Sequence, residues 1–126
     1  MARSPESQSI HDNMVGKVVT HLANKNFTGI QVDHLIGYQQ PAKIIWKGQA
    51  EGHIPDVTTT GPQKLILEVE TAETITETHT KDQWKLFAAH AVNIGGEFWA
   101  VIPSGHVSTV SMVIQDLGIA AKIWEM

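Results

Sequence analysis

The stretch Ile54-Pro55-Asp56-Val57-Thr58-Thr59-Thr60, followed by Gly61-Pro62-Gln63 and then Lys64-Leu65-Ile66-Leu67-Glu68-Val69-Glu70, decides the fold. Gly61-Pro62 is a turn pair. The residues before it, from His53 to Thr60, are rich in β-branched side chains and read as a strand. Lys64 to Glu70 alternates cleanly, with Leu65, Leu67 and Val69 toward one side and Ile66, Glu68 and Glu70 toward the other. A hairpin closing through Gly61-Pro62 sets Thr60 opposite Lys64 and Asp56 opposite Glu68, on one face of the pair. Glu68 and Glu70 point the same way, roughly 6–7 Å apart along the strand. Carboxylates on a mostly apolar strand are costly to bury unpaired, so a cation or water has to meet them. A hard divalent ion with oxygen ligands is one solution. A solvated polar face is the other, and alternating strands commonly have one.

Downstream, a helix is expected at about residues 81–93, with Trp84, Phe87, Ala88 and Ala91 as its apolar face. Thr80 and Gln83 have the spacing of a capping box at its start. Gly95-Gly96 is a turn, and Phe98 to Ile102 is a continuous apolar run suited to a strand buried on both faces. Val107, Val110, Ile114 and Leu117 form another helical stripe, ended by Gly118, and Ala120 to Trp124 reads as a last strand. Upstream, Ile10, Met14, Val18 and Leu22 recur as a helical stripe, with Ser9 as its cap and Asn24-Lys25-Asn26 at its end. Residues 30–36 alternate as a strand. Gly37 to Gly52 is irregular, with Ile44-Ile45-Trp46 as a short strand or packed loop. Residues 1–8 read as a flexible terminus, and residues 9–126 as one domain. The expected class is α/β, in the order α-β-β-β-α-β-α-β, with a mixed central sheet flanked by helices.

A chain of 126 residues with 42% hydrophobic and 17% charged residues can bury one core without a metal or disulfide staple. The absence of cysteine excludes disulfides and cysteine-ligated zinc, and fits a cytoplasmic protein. No apolar run reaches the ~20 residues of a membrane span, and Met1-Ala-Arg-Ser-Pro-Glu lacks the apolar core of a secretory signal. The net charge of −4 counts against metal-free coating of nucleic acid. It counts less against a nuclease, whose acidic ligands are offset by divalent ions.

Ile54-Pro55-Asp56-Val57, a short gap, and Leu65-Ile66-Leu67-Glu68-Val69-Glu70 together resemble the signature of the PD-(D/E)XK nuclease superfamily. That family has an α-β-β-β-α-β core, and the resemblance covers roughly residues 9–103. It implies a restriction-endonuclease-like fold and hydrolysis of phosphodiester bonds in nucleic acid, with DNA as the leading substrate. It also implies Mg²⁺ or Mn²⁺ held by Asp56, Glu68 and the Val69 carbonyl. A homodimer follows by analogy with relatives that cut two strands. Gln83-Trp84-Lys85-Leu86-Phe87 resembles the Gln-x-x-x-Tyr motif of some members, with Phe87 in place of tyrosine. Gln83 therefore reads equally as a site residue and as a helix cap. The sequence departs from the signature at its lysine, where Glu70 stands. Glu70 can act as a general base or hold a second ion. It is equally what a member that has lost catalysis would carry, so a binding or assembly module on the same fold is the alternative reading.

Could another lysine serve? Lys81 and Lys85 fall on the opposite flank of their helix from Gln83, whereas Lys64 shares a strand face with Glu68. The seven histidines form no tight metal-ligand pair. His90 falls on the Gln83 flank of its helix and could approach the site. His53, three residues before Asp56, could touch a phosphate but reads better as a turn-edge residue. Asp12 resembles the acidic residue some members supply from the first helix, although it points away from the apolar stripe. Trp46, in the irregular segment, is a candidate for stacking on a base. No P-loop, GxGxxG, GxSxG or zinc motif is present.

Overall fold

The computed structural model describes residues 3–126. Every residue of strand β5 (Leu65–Val69) is buried, and its alternation sets the layers. Leu65, Leu67 and Val69 pack with Met14, Val15, Val18, Val19 and Leu22 of helix α1 (Pro5–Asn24). Ile66 packs on the other side with Trp84, Phe87 and Ala91 of α2 (Thr78–Ile94) and Val110 and Val113 of α3 (Val107–Leu117). The sheet is thus covered by α1 on one face and by α2 and α3 on the other. Each large side chain buried this way contributes about 1.5–3 kcal/mol over leaving it in water.

Strand β4 (Val57–Thr59) runs antiparallel to β5 and pairs Val57 with Leu67, Thr58 with Ile66 and Thr59 with Leu65. That is the register expected of a hairpin through Gly61-Pro62. Beyond β4 lies β1 (Gln31–Val32), antiparallel. On the other side β6 (Glu97–Ile102) runs parallel to β5, and β7 (Lys122–Glu125) parallel to β6. Parallel neighbours need long crossovers, which α2 and α3 supply. The result is an α/β chain with a mixed five-stranded sheet in the order β1-β4-β5-β6-β7. Gly95 ends α2 at φ +70°, a conformation that favours glycine. The next residue, Gly96, lies so close to the Lys64 carbonyl that a Cβ there would collide with it.

Several expectations need correction. A separate antiparallel ribbon of β2 (Ile44–Ile45) and β3 (Gly52–His53) adds two strands to the expected order. The strand expected from His53 to Thr60 is split, because Pro55 has no N–H to give a ladder. His53 joins the ribbon, and the main sheet resumes only at Val57. The strand expected at residues 30–36 shrinks to Gln31–Val32, and the chain turns at His34 with φ +59°. The capping box at Thr80 and Gln83 does not form. The helix starts earlier, at Thr78, and the Thr80 hydroxyl donates back to the Thr74 carbonyl at 2.7 Å.

Residues 5–8 are not a loose terminus but the first turn of α1. Ser4 rather than Ser9 caps it, accepting the Ser7 N–H at 3.2 Å, and Pro5 fits the first helical position. Met1 and Ala2 lie outside the described residues. Ile10, expected in the stripe, is 52% exposed, while Ser7 and His11 are buried. Ser4→Ala is expected to destabilise the protein by about 1 kcal/mol in a urea titration, the usual cost of losing a side-chain cap. Unchanged stability would mean that the cap contributes nothing. Among the described residues, no helix is long and apolar enough to cross a membrane.

Candidate functional site

Apart from Thr59 near the hairpin turn, the buried polar residues collect at one end of the sheet. Ser7, His11, Glu68, Glu70, Thr71, Thr74 and Thr80 are all buried, in a protein where uncompensated polar burial is costly. Several of them line a pocket of about 280 Å³, together with Arg3, Asp56 and Gln83.

Asp56 immediately precedes β4, and the register carries it opposite Glu68. The Asp56 backbone N–H donates to Glu68 Oε1 at 3.0 Å, and Asp56 Oδ2 accepts the Val69 N–H at 2.7 Å. The two acids are therefore laced together across the hairpin. His11 reaches in from α1, with Nε2 3.1 Å from Asp56 Oδ2 and Nδ1 3.2 Å from Asp12 Oδ1. Burial opposes a charged His11, but the bond to Asp56 and its charge outweigh it, and the pKa is raised.

Glu70 follows the end of β5 and is 1% exposed. Its backbone N–H is held by the Val101 carbonyl at 2.9 Å, which fixes the side chain in the pocket. Oε1 accepts the Thr74 hydroxyl at 2.7 Å, and Oε2 accepts the Trp84 indole N–H at 3.3 Å. Arg3 Nη2 lies 3.5 Å from Oε1 and donates to the Val69 carbonyl at 3.1 Å. Burial pushes the Glu70 carboxyl up to about 7; the Asp56 charge adds to this, and Thr74, Arg3 and Trp84 offset only part of it. Burial also drives Glu68 well above the usual carboxylate range, reinforced by the charges of Asp56 and Glu70.

The structure thus brings together Asp56, Glu68, Glu70, Gln83 and the Val69 carbonyl. Gln83 lines the pocket, and among the described residues its side chain has no hydrogen-bond partner. Lys64 is exposed at the far end of β5, away from Glu68, and neither it, Lys81 nor Lys85 lines the pocket. His90 does not line it either. Asp12 is exposed and bonds to Gln8 and His11, so it meets the site only through these two residues. Arg3 and His11 are the residues that sequence reasoning missed. The one available signal was His11 on the inner flank of a helix whose later inward residues, from Met14 to Leu22, are all apolar.

Among the described residues, no group of three or more His, Cys, Asp and Glu side chains stands ready to cage an ion. Two carboxylates and a carbonyl are a smaller set, of the kind Mg²⁺ uses when it keeps several waters. Asp56, Glu68 and the Val69 oxygen are all hard donors. An ion there would compete with Arg3 for the Val69 carbonyl. The chain matches no protein-family model, no curated protein and no solved structure.

Proposed function

We propose that this chain is a metal-dependent nuclease of the PD-(D/E)XK type, hydrolysing phosphodiester bonds of nucleic acid, with DNA as the leading substrate. One observation carries this reading: Asp56 and Glu68 are laced together across the hairpin and share a pocket with Glu70 and Gln83. Asp56, Glu68 and the Val69 carbonyl would hold Mg²⁺ or Mn²⁺. When bound, such an ion lowers the pKa of a water and offsets charge developing on the phosphoryl oxygens. The chain's own residues do the rest. Glu70, poised near neutrality by burial, is suited to take a proton from the attacking water. Thr74 and Trp84 hold both of its oxygens in place. His11 fixes the orientation of Asp56, and the free Gln83 amide is available to a phosphate oxygen.

The test is direct. The protein is incubated with labelled single-stranded, duplex and branched DNA and with RNA, in Mn²⁺ and in EDTA. Cleavage of at least one substrate in Mn²⁺, and of none in EDTA, is expected. No cleavage of any substrate would favour the second reading, a non-catalytic binding or assembly module on the same fold. A specific observation supports that reading: the Arg3 guanidinium already lies on the Val69 carbonyl and beside Glu70, where it supplies a cation without an ion. It predicts no change in melting temperature on adding Mn²⁺.

A further inference from the structure

A second pocket adjoins the acidic one. It measures about 630 Å³, and Trp46, Gln49, Glu51 and His53 line it from the ribbon side, with Asp82 and Lys85 from α2. Three links make the two pockets neighbours. His53 packs edge-on against His79, with ring centroids 5.2 Å apart, and His79 lines the acidic pocket. Ile54, next to His53, also lines the acidic pocket, as does Gln83, next to Asp82. The His53–His79 pair is therefore the ridge between them.

The chemistry of this second pocket is unlike that of a phosphate site. Glu51 and Asp82 would repel phosphate, and Lys85 lies 3.6 Å from Asp82, partly neutralised by it. The same carboxylates and the Gln49 amide suit the N–H edge of a nucleobase. Trp46 supplies a flat apolar surface and is 41% exposed. A base can lie on it only if one of its faces is free of a neighbouring base, which excludes a base in the interior of a duplex.

We propose that the pocket between the β2–β3 ribbon and α2 is a nucleobase site that stacks one unpaired base on Trp46, making single-stranded nucleic acid the substrate class of the acidic pocket. This rests on the nuclease reading for what happens next door, but not for binding. The strand's backbone would cross the His53–His79 ridge, so the base in the pocket flanks the phosphate that an ion on Asp56 and Glu68 would draw in.

The test measures binding and cleavage separately. Fluorescence anisotropy is recorded with a labelled oligo-dC strand of about ten nucleotides and with a labelled blunt duplex, in EDTA and in Mn²⁺, and the Mn²⁺ samples are then run on a gel. The single strand is expected to bind more tightly than the duplex. Trp46→Ala should weaken it about tenfold, the usual scale of a lost aromatic stack, and Trp46→Phe should recover most of the loss. Equal affinity for the duplex, no binding of the single strand, or an unchanged affinity in Trp46→Ala would overturn the nucleobase site. The nuclease reading fails differently: Trp46-dependent binding would persist while the gel shows no cleavage in Mn²⁺.

Discussion

Asp56→Ala is expected to lower Mn²⁺-dependent cleavage by about a thousandfold or more, since an ion's share of transition-state stabilisation is several kcal/mol. The side chain does more than offer an ion ligand. Its Oδ2 accepts the Val69 N–H at 2.7 Å and faces His11, so alanine also leaves a strand amide and an imidazole without their acceptor. Asp56→Asn separates the two effects. Its amide oxygen can still accept from Val69, while the charge is gone. The asparagine variant should melt close to the parent, because losing a carboxylate beside Glu68 relieves like-charge repulsion. It should be nearly as inactive as the alanine variant. Cleavage by either variant at the parent rate would sink the assignment of Asp56 as a ligand.

The stability of the metal-free protein is expected to fall as pH rises from about 5 to about 8, opposite to the trend set by paired surface carboxylates. Glu70 contributes to this alongside Glu68 and His11, whose pKa values are also raised. The Glu70 pKa is about 7 when folded, against 4.5 as the ordinary value. Between those values the folded protein holds a proton that the unfolded chain has released. Folding is therefore favoured below the unfolded pKa, and that advantage is lost as pH climbs through the folded pKa. The loss is on the order of 3 kcal/mol. Glu68, raised by burial and by its acidic neighbours, acts in the same direction. Urea titrations in EDTA across this range measure it. Glu70→Gln should flatten part of the slope, leaving the share of Glu68 and His11, and Mn²⁺ should restore the parent most strongly at the alkaline end, where the acids are ionised. A stability that stays level or rises with pH would show that these carboxyls are not buried against one another.

The central hairpin was legible because its information is local. The Gly61-Pro62 turn and the alternation from Leu65 to Glu70 fix a register, and a register fixes which side chains meet. The pairing of Val57 with Leu67 is that register, and Asp56 beside Glu68 is its consequence. Elsewhere the local signals misled. Ile10 matched a four-residue repeat, yet it faces water, because the first turns of α1 cover a polar pocket and place Ser7 and His11 inward instead. Thr80 and Gln83 matched a cap, yet the Thr74 carbonyl captures the Thr80 hydroxyl and the helix begins upstream. Arg3 could not be foreseen from local pattern. It meets Val69 across sixty-six positions of sequence, and only the docking of α1 brings it there. The Ser4 hydroxyl, bonded to Glu73 at 2.9 Å, and Ser7, bonded to Thr71 at 2.7 Å, hold that end of the helix against the loop after β5.

Strand β5 is hydrogen-bonded on both edges and covered on both faces, antiparallel to β4 and parallel to β6. Its amide protons can then reach solvent only when the sheet itself comes apart, so hydrogen exchange along it reports the global opening of the domain rather than local breathing. Glu68 lies within this segment and Glu70 directly follows it. The acids are thus carried by the slowest-opening part of the chain, while the exposed Trp46 sits on a ribbon outside the main sheet. Rigidity belongs to the end that would handle the phosphate, and the freedom to adjust to a strand belongs to the rim.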